Sequence, residues 1–343
     1  MADHSRSKRN RPPSMYDVAR LAGVSQTTVS FVVNNVASAA ISQETRDRVW
    51  AAIHALGWRP NAMARGLRTR HSQTLGLISD EVATSPYAVR MILGAQEKAW
   101  AGSQMLLVVN TSGQRDIEQT ALQFMLERRV EGLLYATMYH HEVVPPPEIG
   151  LVPAVLLNCF VADRSLPAIV PDEQQGGYTA TEALIRRGHR RIAFVNETIP
   201  MPALFGRLEG YRQALADYGL PFDPTLVRRC HSNAQDTFAV VRELLELPDR
   251  PTAIFCFNDK MAMGAYDAIK RAGLRIPQDV AVIGFDNLEL IAAQLYPPLT
   301  TVALPHYEMG QRAVELLQTL SAGEQLPPIQ HTIPCPLVER ASI

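Results

Sequence analysis

Two hydrophobic rhythms divide the chain. Between residues 14 and 57 apolar positions recur at helical spacing in three short segments, each opened by a serine. Ser14, with Asp17 three residues on, has the form of a capping box, and the helix it starts should run to about Ala22 and stop at Gly23. Ser25 caps a second helix, Gln26 to Asn34. Ser42 caps a third, with Glu44 favourably placed against the helix dipole, running to Leu56 and ending at Gly57. Val18, Leu21, Val29, Val32, Val49, Ile53 and Leu56 are expected to face inward as one small core. From residue 74 the rhythm changes. Short apolar runs (LGLIS, MLLVVN, GLLYA, AVLLN, IAFVN, AIFCFN, VAVIGFD) alternate with amphipathic stretches, among them Asp172 to Arg187, Ala203 to Tyr218 and Lys260 to Ala272. Continuous apolar strands between helices predict buried parallel sheets in an α/β fold, and there are too many strands for one comfortable sheet. Two α/β subdomains are therefore expected. Pro297–Val302 is expected to cross between them, and a helix from Pro305 to about Ser321 and a final strand to Val338 should complete both.

The short glycine turn between the first two helices makes Tyr16–Ser30 a helix-turn-helix, with the second helix free to enter a DNA major groove. On that helix Thr27, Ser30, Phe31 and Asn34 share the outward face, with Gln26 at its start. Gln26 and Thr27 can hydrogen-bond base edges, and Phe31 can press on a thymine methyl. Charge sharpens this. The formal net charge is −1, yet residues 1–70 carry 11 Lys/Arg against 4 Asp/Glu, a net of +7, and the remainder carries 22 against 30, a net of −8. A basic head on an acidic body confines contact with phosphate to the head and the segment that follows it.

Several function classes fall away. The longest uncharged apolar-rich stretch, Ile149–Ala162, is short of a spanning helix and contains Pro153 and Asn158, so no membrane partner is expected. Residues 1–13 are polar and basic, expected to be a disordered tail without a secretory signal. Cys159, Cys230, Cys256 and Cys335 are far apart and form no C-x-x-C pair, which fits buried, reduced thiols in the cytoplasm. The sequence has no G-x-G-x-x-G after a strand, no phosphate-loop pattern and no G-x-S-x-G elbow. The histidines show no metal spacing, and His140–His141 is expected to be a solvated pair in a loop. No catalytic residue, cofactor or metal is assigned. A free-standing solute-binding protein would explain the body and leave the basic head unexplained.

Within the body, several strands end in a polar residue: Ser79, Asn110, Asn158, Asn196, Asn258 and Asp286. Ligands of parallel α/β sheets collect beyond the carboxyl ends of the strands, so this set predicts a polar-lined cleft suited to a hydroxylated small molecule.

The run MYDVARLAGVSQTTVSFVVN, followed by ISQETRDRVWAAIHALGWRPNAMARGLRT and later by IRRGHRRIAFV, GRLEGYRQAL, FNDKMAMGA, VIGFDN, PPLTTV and LVERAS, resembles the lactose-repressor-type (LacI/GalR) transcription regulators, from Ser14 to Ser342. The resemblance implies a regulator, expected to be a repressor, that binds a palindromic double-stranded operator as a homodimer under the control of a small-molecule effector, a sugar or sugar phosphate. A purine-like corepressor, or no effector at all, stays open as the alternative. It further implies an all-α head at 14–60, a hinge helix and linker at 61–72, and a periplasmic-binding-protein-like body of two parallel-sheet α/β subdomains at 73–343. Gln26 and Thr27 match base-contacting positions. Phe31 matches a third, where the family's namesake has an arginine that phenylalanine cannot imitate at a guanine. Asn34 matches a backbone contact, and Tyr16, Ser25 and Ser30 complete the set on the head. In the hinge, Asn61, Ala64 and Leu67 are implied DNA contacts, Leu67 as a minor-groove wedge, with Arg65, Arg68 and Arg70 near phosphate. Tyr87, Asn158, Asp172, Arg207, Asn258 and Asp286 match effector-contacting positions. Where relatives often place an aromatic platform, this chain reads Cys230-His231-Ser232-Asn233. His189 is implied to be structural.

Overall fold

The computed structural model describes residues 11–36, 39–59, 72–324, 326–327 and 330–343. The chain divides into two compact units between Ser72 and Gln73.

In the first unit every described helix starts at a serine cap. Helix α1 (Met15–Ala22) has the reciprocal capping box: Asp17 N–H reaches the Ser14 hydroxyl at 3.4 Å, and the Asp17 carboxylate accepts from Ser14 N–H at 2.9 Å. Ser25 Oγ accepts from Thr28 N–H at 3.0 Å to open α2 (Gln26–Val33), and Ser42 opens α3 (Gln43–Leu56) in the same way. Gly23 and Gly57 end α1 and α3 at φ of +67° and +61°, the left-handed region that glycine enters without strain. Val18, Ala22, Val29, Val32, Val49, Ile53 and Trp58 form the core, each large member adding about 1.5–3 kcal/mol by leaving water. Leu21 departs from expectation, being 57% exposed. The buried stripe of α1 is Val18, Ala19 and Ala22, and Leu21 lies roughly 100° round the helix from its centre.

The second unit contains two sheets with the same internal order. The chain runs β1 (Thr74–Ser79), α4 (Val89–Ala101), β2 (Met105–Asn110), α5 (Arg115–Glu127), β3 (Leu133–Glu142), β4 (Ala154–Phe160) and β5 (Ala168–Pro171) in the first half. It continues through α6 (Glu173–Arg186), β6 (Ile192–Glu197), α7 (Pro202–Asp217), β7 (Val227–Cys230), α8 (Ala234–Leu245), β8 (Ala253–Cys256), α9 (Asp259–Arg271), β9 (Ala281–Asp286), α10 (Glu289–Ala292) and β10 (Thr300–Ala303) in the second. Helix α11 (His306–Ser321) and β11 (Gln330–Ile333) return to the first half, and β12 (Leu337–Val338) ends in the second. The sheets read β2-β1-β3-β4-β5-β11 and β7-β6-β8-β9-β10-β12, parallel throughout except for β12 against β10. The central strands are buried on both faces, which is why they read as unbroken apolar runs.

The chain crosses between halves after Pro171, at Leu304–Pro305 and between Ile333 and Leu337. The expected crossing at Pro297–Val302 is thus corrected: Thr300–Ala303 pairs with β9 as a regular parallel strand, and the change of sheet follows it. Each half also locks helices together with glycines, at one pair in the first half and at two in the second, where Gly264 of α9 approaches the Ala234 carbonyl of α8 as well. A Cβ on Gly94 of α4 would stand 2.1 Å from the Tyr307 carbonyl oxygen of α11, and one on Gly310 2.1 Å from that of Met91. A Cβ on Gly210 of α7 would stand 2.0 Å from the Gln174 carbonyl oxygen of α6. All four cysteines are buried and free.

Candidate functional site

A cavity of about 820 Å³ opens at the carboxyl ends of the strands in the second unit. Ligands of open parallel sheets lie there, since the order 2-1-3-4-5 leaves a crevice where successive connections leave in opposite directions. Among its most buried charged groups is Arg207, on α7. The Arg207 Nε donates to Glu173 Oε2 at 2.8 Å, and Nη1 donates to the Phe257 carbonyl. The guanidinium lies 3.6 Å from the Phe285 ring centre and 4.3 Å from that of Phe257. Asp286 Oδ1 is 3.8 Å from Nη2. Arg207 and Glu173 side chains are only 4% and 6% exposed, so this pair is held in a low dielectric, between aromatic faces, where charge is tolerated only when paired.

Burial pushes the Asp286 carboxyl up to about 7, against the pull of Arg207 and with a further push from Glu173. Asp259, behind it, is raised well above the carboxylate range by burial and then by Asp286. It accepts from Thr301 Oγ1 at 2.6 Å and from Leu288 N–H at 2.7 Å, fixing the loop that follows β9. Asp286 and Asn287 sit at φ of +99° and +52°, and Asn158 at +61°. Such backbone is uncommon outside glycine and clusters where a side chain must be aimed. Asn158 Nδ2 donates to the carbonyls of Thr137 and Met138, each at 3.0 Å. Asn258 caps α9 by accepting from Met261 N–H at 2.9 Å, and its Nδ2 donates to Ser232 Oγ. On the first half, Tyr87 and Tyr139 line the opening. Both phenols are pushed above their ordinary range, by burial first and then by the Asp286 charge.

In the first unit, Gln26 and Thr27 are exposed on α2, and Phe31 beside them is 38% exposed. Ser30 and Asn34 are half-buried, and Asn34 Nδ2 donates to the Ser30 carbonyl at 2.6 Å. Tyr16 is exposed on α1, and Ser25 is the exposed cap of α2. One face therefore presents an amide, a hydroxyl and an apolar ring together, the mixture that reads base edges and thymine methyls.

Residues 14–61 match the model described as bacterial regulatory proteins, lacI family, and residues 72–341 match that of periplasmic binding proteins and sugar binding domain of LacI family. The chain belongs to the LacI family. It is similar to the ribose operon repressor of Haemophilus influenzae, 33% identical over 308 residues that make up 89% of this chain and 90% of that one. It is also similar to the HTH-type transcriptional repressor CytR of Escherichia coli K12, 32% identical over 98% of this chain and 97% of the relative. Among solved structures, the lac repressor dimer bound to operator and the anti-inducer ONPF superposes with a TM-score of 0.76 at 28% identity, covering 97% of this chain and 99% of that one. A complex of the transcriptional regulator CelR with cellobiose gives 0.64 at 29% identity over 96% and 99%. This LacI-family chain is a DNA-binding transcription regulator, with the head and two-sheet body expected from its motifs.

Of the six effector positions implied by resemblance, the cavity of this LacI-family protein brings together Tyr87, Asn158, Arg207, Asn258 and Asp286. Asp172 is not among the lining residues. It caps α6, accepting from Gln175 N–H at 3.0 Å, and the next residue, Glu173, turns into the cavity instead. Of the polar strand ends, Ser79 and Asn110 bond each other at 3.3 Å, and Asn196 donates to the Leu204 carbonyl at 3.1 Å, so these three serve the frame. His140 corrects the reading of a solvated loop: β3 extends to Glu142, and His140 lines the cavity edge-on to Phe160. Burial, first, pushes its imidazole down to about 4. His231 lines the cavity with Nδ1 3.0 Å from Thr198 Oγ1, and Phe257 supplies a ring that motif matching does not anticipate. His189 sits away from it, 3.0 Å from Thr252 Oγ1.

Sequence reasoning passes over Glu173, Tyr139 and His306. Glu173 had a signal: with Gly176, Gly177, Ala180 and Leu184 it falls on the buried stripe of α6. Asn61, Ala64 and Leu67, with Arg65, Arg68 and Arg70, lie outside the described residues. Among the described residues no helix is long and apolar enough to cross a membrane, and no group of three or more His, Cys, Asp or Glu could hold a metal ion.

Proposed function

We propose that the chain is a cytoplasmic, non-catalytic repressor that binds a palindromic operator as a homodimer and changes its DNA affinity when a hydroxylated small molecule occupies the cavity. In this reading 14–60 reads DNA, 61–72 is the hinge and 73–343 senses the effector. On the head, Gln26, Thr27 and Phe31 meet bases, Asn34 meets the backbone, and Tyr16, Ser25 and Ser30 complete the DNA contact. In the hinge Asn61 and Ala64 contact the DNA, and Leu67 is the wedge in the minor groove. Tyr87, Asn158, Arg207, Asn258 and Asp286 hold the effector, and Asp172 acts from the base of α6. The carrying observation is that those five residues come from five separate segments of both halves and converge on one cavity. Residues drawn from both halves let a ligand bind open and closed arrangements differently, which is the only way it can shift them. The repressor names of the relatives, and an operator in one solved structure and cellobiose in another, support the same reading.

Selection of genomic fragments on the purified protein tests it. The expected result is a two-fold symmetric sequence with half-sites spaced for paired recognition helices. Uniform binding to all fragments that vanishes with moderate salt would overturn specific regulation. Phe31→Arg is expected to shift preference toward guanine at one position of each half-site, because arginine bonds guanine O6 and N7 together.

A further inference from the structure

His306 opens α11 directly after the Leu304–Pro305 crossing and lines the cavity while only 6% exposed. Its Nδ1 lies 2.9 Å from the Tyr87 carbonyl oxygen. A carbonyl can only accept, so Nδ1 carries the proton. Burial, the largest influence, pushes the imidazole down to about 4, so the ring is neutral at ordinary pH. In that tautomer Nε2 is a bare acceptor. It has no exposed surface and no hydrogen-bond partner. His140, on β3 across the same cavity, likewise holds a buried Nδ1 without a partner.

Two of the three cations that line the cavity are already answered. Arg207 has Glu173 at 2.8 Å and Asp286 at 3.8 Å, and Arg90 has Glu289 at 3.8 Å. Glu197 and Glu308 add two more carboxylates to the lining, against Lys260 as the remaining cation. A dianion entering this cavity would meet more carboxylates than cations and would have to break the Arg207–Glu173 pair to gain a buried partner. A neutral ligand with hydroxyl or N–H donors would leave that pair intact and supply what His306 lacks.

We propose that His306 is a specificity-determining residue: its Nε2 accepts a hydrogen bond from a hydroxyl or N–H of an uncharged effector, and the cavity rejects the phosphorylated form of the same compound. This rests on the cavity being the effector site. Because Nε2 is sealed from solvent, the donor reaches it as the two halves shift around the ligand. The bond from Nδ1 to Tyr87 fixes the tautomer on the first half throughout.

The test is calorimetric binding to the full chain at pH 7.5, using matched pairs: ribose and ribose 5-phosphate, glucose and glucose 6-phosphate, adenosine and adenosine 5′-monophosphate, cytidine and cytidine 5′-monophosphate. At least one neutral member should bind, and its phosphorylated partner should bind at least about tenfold more weakly, since the dianion meets more carboxylates than cations and finds its buried cation already paired. His306→Phe should weaken the neutral compound about tenfold or more, and His306→Gln, which keeps an acceptor, should recover most of the loss. A phosphorylated member that binds as tightly or better overturns the inference and leaves the cavity as the effector site. Unchanged affinity in His306→Phe also overturns it. Binding by no member of the panel overturns both the inference and the effector reading beneath it.

Discussion

The two halves of the body share a strand order, and each locks a pair of helices together through glycine. They also bridge that helix pair with an ion pair, and here they part. In the first half Lys98 of α4 and Glu315 of α11 meet at 2.5 Å with side chains 32% and 38% exposed. In the second half Glu173 of α6 and Arg207 of α7 meet at 2.8 Å with side chains 6% and 4% exposed. The same architecture has put one bridge in water and the other at the floor of the ligand cavity. The lining follows suit. The first half offers most of the rings, Tyr87, Tyr139, His140 and His306 among them, and the second offers Phe257, His231 and most of the charge, including Glu173, Arg207 and Asp286. The repeated fold sets where the cavity lies, and the burial of a few side chains sets which half lines it mostly with charge and which mostly with rings.

Breaking the buried bridge should have the largest effect. Arg207→Met leaves Glu173 charged and alone under the cavity, and removal of one partner of a buried pair costs about 3–5 kcal/mol. Urea unfolding of the body's transition should show that loss, and Arg207→Met combined with Glu173→Gln should recover part of it. If the double variant is no more stable than the single, the pair is not a coupled unit and the contrast between the halves is wrong.

The glycine locks test what the halves have in common. Gly210→Ala and Gly310→Ala each drive a Cβ to within 2.0–2.1 Å of a carbonyl oxygen on the facing helix. Backbone cannot step aside as a side chain can, so each should cost about 1–3 kcal/mol, overriding the gain of roughly 1 kcal/mol that alanine brings to a helix. Gly150→Ala, where nothing lies within 4 Å, is the control. Equal losses at Gly210 and Gly310 would make the lock a property of the repeated fold. A loss at one alone would confine it to that half.

These contrasts explain which parts could be read from residue order. The central strands announced themselves because burial on both faces leaves them uninterruptedly apolar, as in Val155–Leu157 or Ile254–Cys256. Two strands did not. The edge strand β7 is Val-Arg-Arg-Cys, and the buried β5 has only Ala168, Ile169 and Val170 between Pro167 and Pro171, so neither carries an apolar run as long as those of the central strands. Helix α8 carries a readable stripe at Thr237, Val241 and Leu244. In the cavity, residues inside family motifs, such as Arg207 in GRLEGY and Asp286 in VIGFD, could be placed from the sequence. His306 could not, because its chemistry depends on a carbonyl more than two hundred residues earlier in the chain.

The halves should also titrate in opposite directions. In the folded state His140 and His306 sit near 4, below the ordinary 6.5, because burial disfavours the charged ring. Between those values the unfolded chain binds protons that the folded one refuses, so these groups stabilise the fold above pH 6.5 and lose that contribution as pH falls toward 4. Asp286 is raised from 3.8 to about 7, again by burial. There the folded chain keeps a proton that the unfolded chain has lost, so the contribution is full below pH 3.8 and disappears as pH rises through 7. Unfolding free energies measured from pH 4 to 8 should rise more steeply with pH in Asp286→Asn than in the wild type. They should rise less steeply when His140 and His306 are both replaced by Phe. Changes of the same sign in the two variants would refute the division of neutral rings from charged groups.

The smallest effect belongs to the exposed bridge. Lys98 lowers the ionisation range of Glu315 mainly through their hydrogen bond, with Arg312 helping. Both partners still reach water, so solvent screens the pair and the unpaired carboxylate stays hydrated once Lys98 is gone. Lys98→Met should therefore cost about 0–1 kcal/mol, and Arg312, 3.1 Å from the other carboxylate oxygen, is placed to take part of the load. Raising the salt concentration should erase what little is lost, since the Debye length falls to about 3 Å at 1 M, whereas the penalty in Arg207→Met should persist because salt does not enter a buried site. If Lys98→Met proved as damaging as Arg207→Met, exposure would not be what separates the two halves, and the glycine-locked helices themselves would have to depend on their bridging charges.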